Sequence, residues 1–288
     1  MRKSEIQIVW FKRDLRTTDH KPLFEASKNL IPILPIYVIE NEYWEQPFSN
    51  KRHWHFIHDS LIELRKELKN LGQSLIIRTG SVIDIFNELS TQFDIISIYA
   101  HEETGNRWTY DRDLNVKNWC NEKNVSLIEY PTNGIVRNLK NRDDWSKVRD
   151  LRMKENLIPK PLSLMPVEGI KGGSIPKKDS PIFKNDFIGK VQKGGRGEAL
   201  RIIKSFINDR GKNYLFNISK PGISENTCSR ISPHLTWGTI SSKEIIKILN
   251  LNKNNNQKNE RKICNKNLNA IKSRLSWRCH FIQKLESQ

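Results

Sequence analysis

Five short apolar runs punctuate the first 130 residues, at 6–11, 31–39, 75–78, 94–100 and 126–130. Each has the length of a strand, and their near-continuous apolar character predicts strands buried on both faces. Between the runs the period changes. Trp54, Ile57, Leu61, Leu64, Leu68 and Leu71 recur at steps of three and four, which predicts an amphipathic helix that Gly72 stops. Ser81 stands where it would cap a helix carrying Val82, Ile85, Phe86 and Leu89, and a further helix is expected over 109–124. Strand and helix in alternation predict an α/β fold, a doubly wound parallel sheet over residues 1–131. No G-x-G-x-x-G follows the first run and no G-x-x-x-x-G-K-[ST] occurs, so neither standard phosphate cradle is available.

From 132 to 195 the periodicity breaks down under Pro131, Pro159, Pro161, Pro166, Pro176 and Pro181 and a set of glycines. This stretch reads as a connection between domains, with one short helix near 143–156. Gly194-Gly195-Arg196-Gly197-Glu198 reads as the turn into the next helix. Beyond it the pattern is helical again, to the end of the chain at 288. Ala199, Ile202, Ile203, Phe206 and Ile207 make one apolar face. Ser241-Ser242-Lys243-Glu244 forms a capping box ahead of Ile245, Ile246, Ile248 and Leu249, and a last helix is expected from about 266. The asparagine-rich stretch 252–259 reads as a solvated loop.

Charge sharpens the division. The chain carries a net +17, with 36% hydrophobic residues. Residues 1–130 hold 17 Lys and Arg against 19 Asp and Glu, whereas residues 201–288 hold 17 against 5. A basic C-terminal part on a neutral N-terminal part is the footprint of a face for a polyanion. No run approaches the ~20 apolar residues of a membrane helix, so no membrane association is expected. Cys120, Cys228, Cys264 and Cys279 are scattered without a C-x-x-C pair. That spacing speaks for reduced thiols in a cytoplasmic protein and against a metal site or a disulfide framework.

Three segments concentrate chemistry. Cys228-Ser229-Arg230-Ile231-Ser232-Pro233-His234-Leu235-Thr236-Trp237-Gly238 sets hydroxyls and a guanidinium before a proline-started helix, a composition suited to a phosphate. Ser273-Arg274-Leu275-Ser276-Trp277-Arg278-Cys279-His280-Phe281 puts a stacking ring beside cations on a helix. Near the N-terminus stands Val9-Trp10-Phe11-Lys12-Arg13-Asp14-Leu15-Arg16. Together and in this order, these segments resemble the DNA photolyase/cryptochrome family of flavoproteins, and the resemblance runs the length of the chain.

The resemblance implies an N-terminal α/β domain followed by part of an all-helical FAD-binding domain over 196–288. It implies that the chain ends inside that domain, so that FAD would be held weakly or not at all and a second polypeptide could complete the pocket. Tyr214, Cys228, Ser229, Arg230, Ile231, Ser232 and Arg278 fall at flavin-binding positions, and Arg274, Trp277 and Arg278 at the DNA and lesion face. The activity implied is light-driven repair of cyclobutane pyrimidine dimers in DNA by electron transfer from reduced FAD. A blue-light receptor and a non-catalytic remnant are the alternatives. Departures from the family pattern stand at Cys228, where a hydroxyl residue is common, at Arg274, where many repairing members carry glutamate, and at Ile218, where some carry arginine. The segment 101–113, directly after the fourth run, corresponds to a region that lines an antenna-chromophore pocket. Trp108-Thr109 there replaces the pair typical of folate binders, which speaks against folate and leaves a deazaflavin or another chromophore. Asp14 is expected to pair with arginines and to fix the loop after the first strand.

Overall fold

The computed structural model describes residues 3–184, 189–255 and 263–287. The chain divides into two compact units, Met1–Thr132 with Ile158–Gly195, and Asn133–Leu157 with Arg196–Gln288.

The first unit is built on five parallel strands, β1 (Ser4–Phe11), β2 (Ile33–Ile39), β3 (Ile76–Thr79), β4 (Phe93–His101) and β5 (Ser126–Tyr130), in the order β3-β2-β1-β4-β5. Each of the five apolar runs became a strand. β2 is buried along its whole length, as a strand covered on both faces must be. The helices of this unit are α1 (Lys21–Ala26), α2 (Asn41–Glu45), α3 (Lys51–Asn70), α4 (Val82–Gln92) and α5 (Arg107–Lys123). On α3, Trp54, Ile57, Leu61, Leu64 and Leu68 are all buried, so the period of three and four was a core-facing stripe. Trp10, Phe86 and Trp119 meet in the core, Phe86 lying 5.9 Å from Trp10 and 5.6 Å from Trp119 between ring centroids. Ser81 precedes α4 but makes no capping bond with its side chain.

Residues 132–195 are not a free connection. Ile158–Gly195 lies against the α/β unit and satisfies backbone groups that the sheet and helices leave open. Gly172 O accepts from Ile77 N at 2.8 Å, Leu164 N donates to Leu71 O at 2.6 Å, and Lys177 O accepts from Trp54 Nε1 at 3.2 Å. Phe183 stacks on Trp54 with centroids 4.2 Å apart. Prolines stopped the periodicity here without stopping the packing.

The other part of the stretch, Asn133–Leu157, belongs to the second unit and carries α6 (Trp145–Lys154). Trp145 Nε1 donates to Gly134 O at 2.7 Å, and Gln283 holds both the N–H and the carbonyl of Val136, at 2.7 and 3.0 Å. The remaining helices are α7 (Arg196–Asn208), a 3-10 turn (Arg210–Asn213), α8 (Tyr214–Asn217), α9 (Pro221–Thr227), α10 (Ser232–Thr236), α11 (Ser242–Asn255) and α12 (Asn265–Glu286). Their core gathers Ile203, Phe206, Ile207, Ile245, Leu249, Leu268, Ile271 and Leu275. Ser241 caps α11 by accepting from Glu244 N at 3.0 Å. Glu244 turns its carboxylate to Arg196, with a paired contact at 2.6 and 2.8 Å, instead of closing the box. Residues 252–255 continue α11, where a loop was expected; 256–259 lie outside the described residues.

Candidate functional site

The sheet order reverses beside β1, where its neighbours β2 and β4 lead in opposite directions. In such sheets ligands gather at the carboxyl ends of the strands around this point. Here much of that space is filled by a buried polar network. Asp14, just after β1, takes hydrogen bonds from His20 Nε2 at 2.8 Å, from His101 Nδ1 at 2.7 Å and from the Lys12 N–H at 2.8 Å. Its partners are therefore two histidines and not arginines as expected; Arg16 spends its guanidinium on the Asp19 carbonyl, at 2.9 and 3.2 Å. His20 Nδ1 accepts from Leu23 N at 3.1 Å, which leaves the proton on Nε2 and fixes the neutral tautomer. The ligating atoms of Asp14, His20 and His101 lie within 4.8 Å of one another, but these hydrogen bonds already use them. Burial would raise the Asp14 carboxyl, yet its interactions with His20 and His101 outweigh it and hold it well below the usual carboxylate range. Burial lowers both imidazoles, His101 to about 3.

Beside this network a second one surrounds Arg112 on α5. Its guanidinium reaches Glu103 at 2.7 Å, Asp113 at 2.8 Å and Glu40 at 3.0 Å, and lies 4.9 Å from the Trp10 ring. Lys12 Nζ meets Asp113 at 2.9 Å with both side chains buried. Burial opposes the Arg112 charge, but Glu103, Asp113 and Glu40 outweigh it and keep the group firmly protonated. Burial raises the Glu40 carboxyl, with Arg112 pulling against it. Glu40 and Arg112 border a cavity of about 380 Å³ between the end of β2, the first turn of α4 and the start of α5, with Trp108 in its wall. The segment 101–113 thus reaches a cavity through Trp108, Asp111 and Arg112.

In the helical unit the 228–232 turn is shaped by a residue that sequence reasoning missed. Arg210 donates to Ile202 O and Ser205 Oγ, each at 3.0 Å, and to the carbonyls of Cys228 and Ser229. The turn is thereby tied to α7. Arg230 adopts a left-handed φ of 61°, and the chain then drops Ile231 into the core while Ser229 and Arg230 remain half-buried and Ser232 exposed. The side chain of Ile231 is therefore a packing group, and only its backbone is available to a ligand. Tyr214 is 5% exposed and packs edge-on against Phe206 at 5.3 Å, so only a small edge of it can face a cofactor. Burial raises the Tyr214 phenol and the Cys228 thiol. Arg210 left no signal in the local sequence because its four acceptors lie up to 19 residues away.

On α12, Arg278 donates to Leu235 O at 3.3 Å and so joins this helix to α10. Trp277 is 51% exposed, and the Arg274 guanidinium lies over its ring at 4.8 Å. Phe281 sits one turn on, edge-to-face with Trp277 at 6.3 Å. Residues 228–234 contain hydroxyls and a guanidinium but no carboxylate, and their histidine, His234, is buried against Thr239 at 2.8 Å. The hydroxyls and guanidinium suit a phosphate.

A parallel α/β unit is thus followed along the chain by a helical unit. The sequence model of the DNA photolyase family matches residues 7–144. The blue-light photoreceptor PHR2 of Arabidopsis thaliana is 26% identical over 83% of this chain and 59% of its own. The deoxyribodipyrimidine photo-lyase of Halobacterium salinarum is 23% identical over 97% of this chain and 61% of its own. Among solved structures, a class III photolyase from Agrobacterium tumefaciens superposes with a TM-score of 0.78 at 19% identity, over 99% of this chain and 60% of that one. Over residues 7–144 the chain matches the photolyase family model, and along most of its length it is similar to photolyases and cryptochromes. It spans about three fifths of the length of these relatives. No helix among the described residues is long and apolar enough to cross a membrane.

Proposed function

We propose that the chain is a photolyase-type flavoprotein, cytoplasmic, serving light-driven repair of cyclobutane pyrimidine dimers in DNA. In this reading Ser229 and Ser232 donate to FAD phosphate oxygens, and Arg230 and Arg278 balance their charge. Cys228 and Ile231 contribute backbone, and Tyr214 backs the turn. When bound, the flavin supplies light absorption and the transferable electron. Trp277 offers its open face to a base turned out of the duplex, while Arg274 and Arg278 meet the phosphodiester backbone. The cavity of the α/β unit is the place for an antenna chromophore other than folate.

The observation that carries this reading is the tie between the two functional segments. Arg278 bonds the carbonyl of Leu235, just beyond the 228–232 turn, and stands next to the half-exposed ring of Trp277. Phosphate donors and a stacking platform are thus joined in one unit. The chain's basic charge lies in the same part of the sequence.

Fluorescence anisotropy with intact and dimer-containing duplexes tests it. Affinity should fall steeply with salt, as counterion release requires. Arg274→Ala with Arg278→Ala should weaken both duplexes alike, because phosphate contacts carry no lesion information. Trp277→Ala should reduce only the preference for the damaged duplex. A damaged-to-intact ratio that Trp277→Ala leaves at unity would remove the repair reading.

One observation favours the second reading, a blue-light receptor without repair. Arg274 covers one face of Trp277, at a position where the resemblance implies a glutamate in many repairing members. The exposed apolar side chains Trp277, Phe281 and Leu285, at steps of four on α12, also support a second polypeptide as the completing partner.

A further inference from the structure

The cavity in the α/β unit has a charge pattern with a consequence for its occupant. Four carboxylates line it, Glu40, Glu42, Asp84 and Asp111, with one cation, Arg112, in the lining and Arg107 paired to Asp111 from outside it at 2.9 Å. Arg112 is already engaged by Glu40, Glu103 and Asp113, so it offers little to a further anion. A bound phosphate would therefore sit in a negative field, at the cost of repulsion that salt screens only in part. The remainder of the lining suits a flat, neutral ring. Trp108 forms an aromatic wall, fixed by Tyr43 at 5.6 Å between centroids. Gly80 through Asp84, the approach to α4 and its first turn, form another wall, and Ser81 does not cap that helix with its side chain. First-turn N–H groups have no partner within their own helix and suit the carbonyls of a heterocycle, while the carboxylates can accept from ring N–H groups. A volume of about 380 Å³ is within the range of small-molecule sites.

We propose that this cavity binds a planar heteroaromatic ligand without negative charge, stacked on Trp108, and discriminates against the same ring carrying a phosphate. The proposal rests on the antenna reading of the cavity and narrows it: flavin nucleotides are excluded and uncharged rings retained.

Riboflavin and riboflavin 5′-phosphate share one ring and differ by the phosphate, so they isolate the charge. Each is titrated into the whole chain and its flavin fluorescence followed, at low and at moderate salt, in an Arg230→Ala/Ser232→Ala background that weakens the helical-unit site. Riboflavin should bind at least ~fivefold more tightly at low salt, with the gap narrowing as salt rises. Glu42→Gln with Asp84→Asn, both at exposed positions, should close most of the gap by improving the phosphate ester alone. Trp108→Leu should weaken both ligands in equal proportion. Equal or tighter binding of the phosphate ester, still dependent on Trp108, overturns the charge inference and leaves the antenna reading standing. Binding of neither ligand, or binding indifferent to Trp108→Leu, overturns both.

Discussion

Acidification should unfold the sheet of the α/β unit through His101. This imidazole is buried, donates to Asp14 at 2.7 Å, and is lowered by burial to about 3. In the unfolded chain a histidine titrates near ~6.5. A folded-state value below the unfolded one means that the neutral form stabilises the fold. The contribution is complete above the unfolded value and is lost as the pH falls from it towards the folded value. Linkage then gives a loss of ~1.4 kcal/mol on going from pH 7.5 to 5.5, and ~2.7 kcal/mol at pH 4.5, from His101 alone. His20, also lowered by burial, acts in the same direction. Glu40, raised by burial, acts in the opposite direction, but the difference between wild type and a His101 variant cancels it. Amide exchange of peptides covering β1 and β4, corrected for intrinsic rates, measures the effect. His101→Gln retains a donor for Asp14 and should flatten the pH dependence by ~1.4 kcal/mol at pH 5.5. The same pH dependence between 7.5 and 5.5 in the wild type and in His101→Gln would mean that the His101 imidazole is charged in the native state, and the account of the Asp14 network would fail.

Three further outcomes are expected. Arg210→Ala should destabilise the helical unit by ~2–3 kcal/mol, because the carbonyls of Cys228 and Ser229 lose a charged donor, and thermal unfolding reads it. Gly173→Ala should free 158–195 from β3: a Cβ there would lie 2.1 Å from Ile77 O on a backbone with φ of +71°, and limited proteolysis within that stretch should accelerate. Phe206→Ala should cost ~3–5 kcal/mol and loosen Tyr214, which rests on it, as read by denaturant unfolding of the helical unit.

What the sequence made legible followed the strength of local signals. The strands announced themselves because a two-sided buried strand must be apolar throughout, and α3 because a long helix repeats its stripe five times. Residues 132–195 misled because their order comes from single backbone bonds to distant partners, such as Gly172 to Ile77 and Lys177 to Trp54, which leave no period. The Asp14 hub was foreseen as a fixed loop but with the wrong partners, since His101 lies 87 residues away on the neighbouring strand. At the 228–232 turn, composition marked the donors, yet it could not separate the outward Ser232 from the inward Ile231. A single left-handed residue, Arg230, decides which side each takes. Four carboxylates around one cavity were equally invisible, because they come from three separate elements.

The central claim is that the turn at 228–232, with Arg278, holds the phosphate end of FAD. Titrating FAD with the purified chain in the dark, and following quenching of its fluorescence, tests this most directly. The account predicts saturable quenching that desalting reverses and that Arg230→Ala with Ser232→Ala weakens at least ~fivefold, as loss of charge-assisted bonds requires. A titration unchanged in that variant, or no quenching by the wild-type chain, would contradict it.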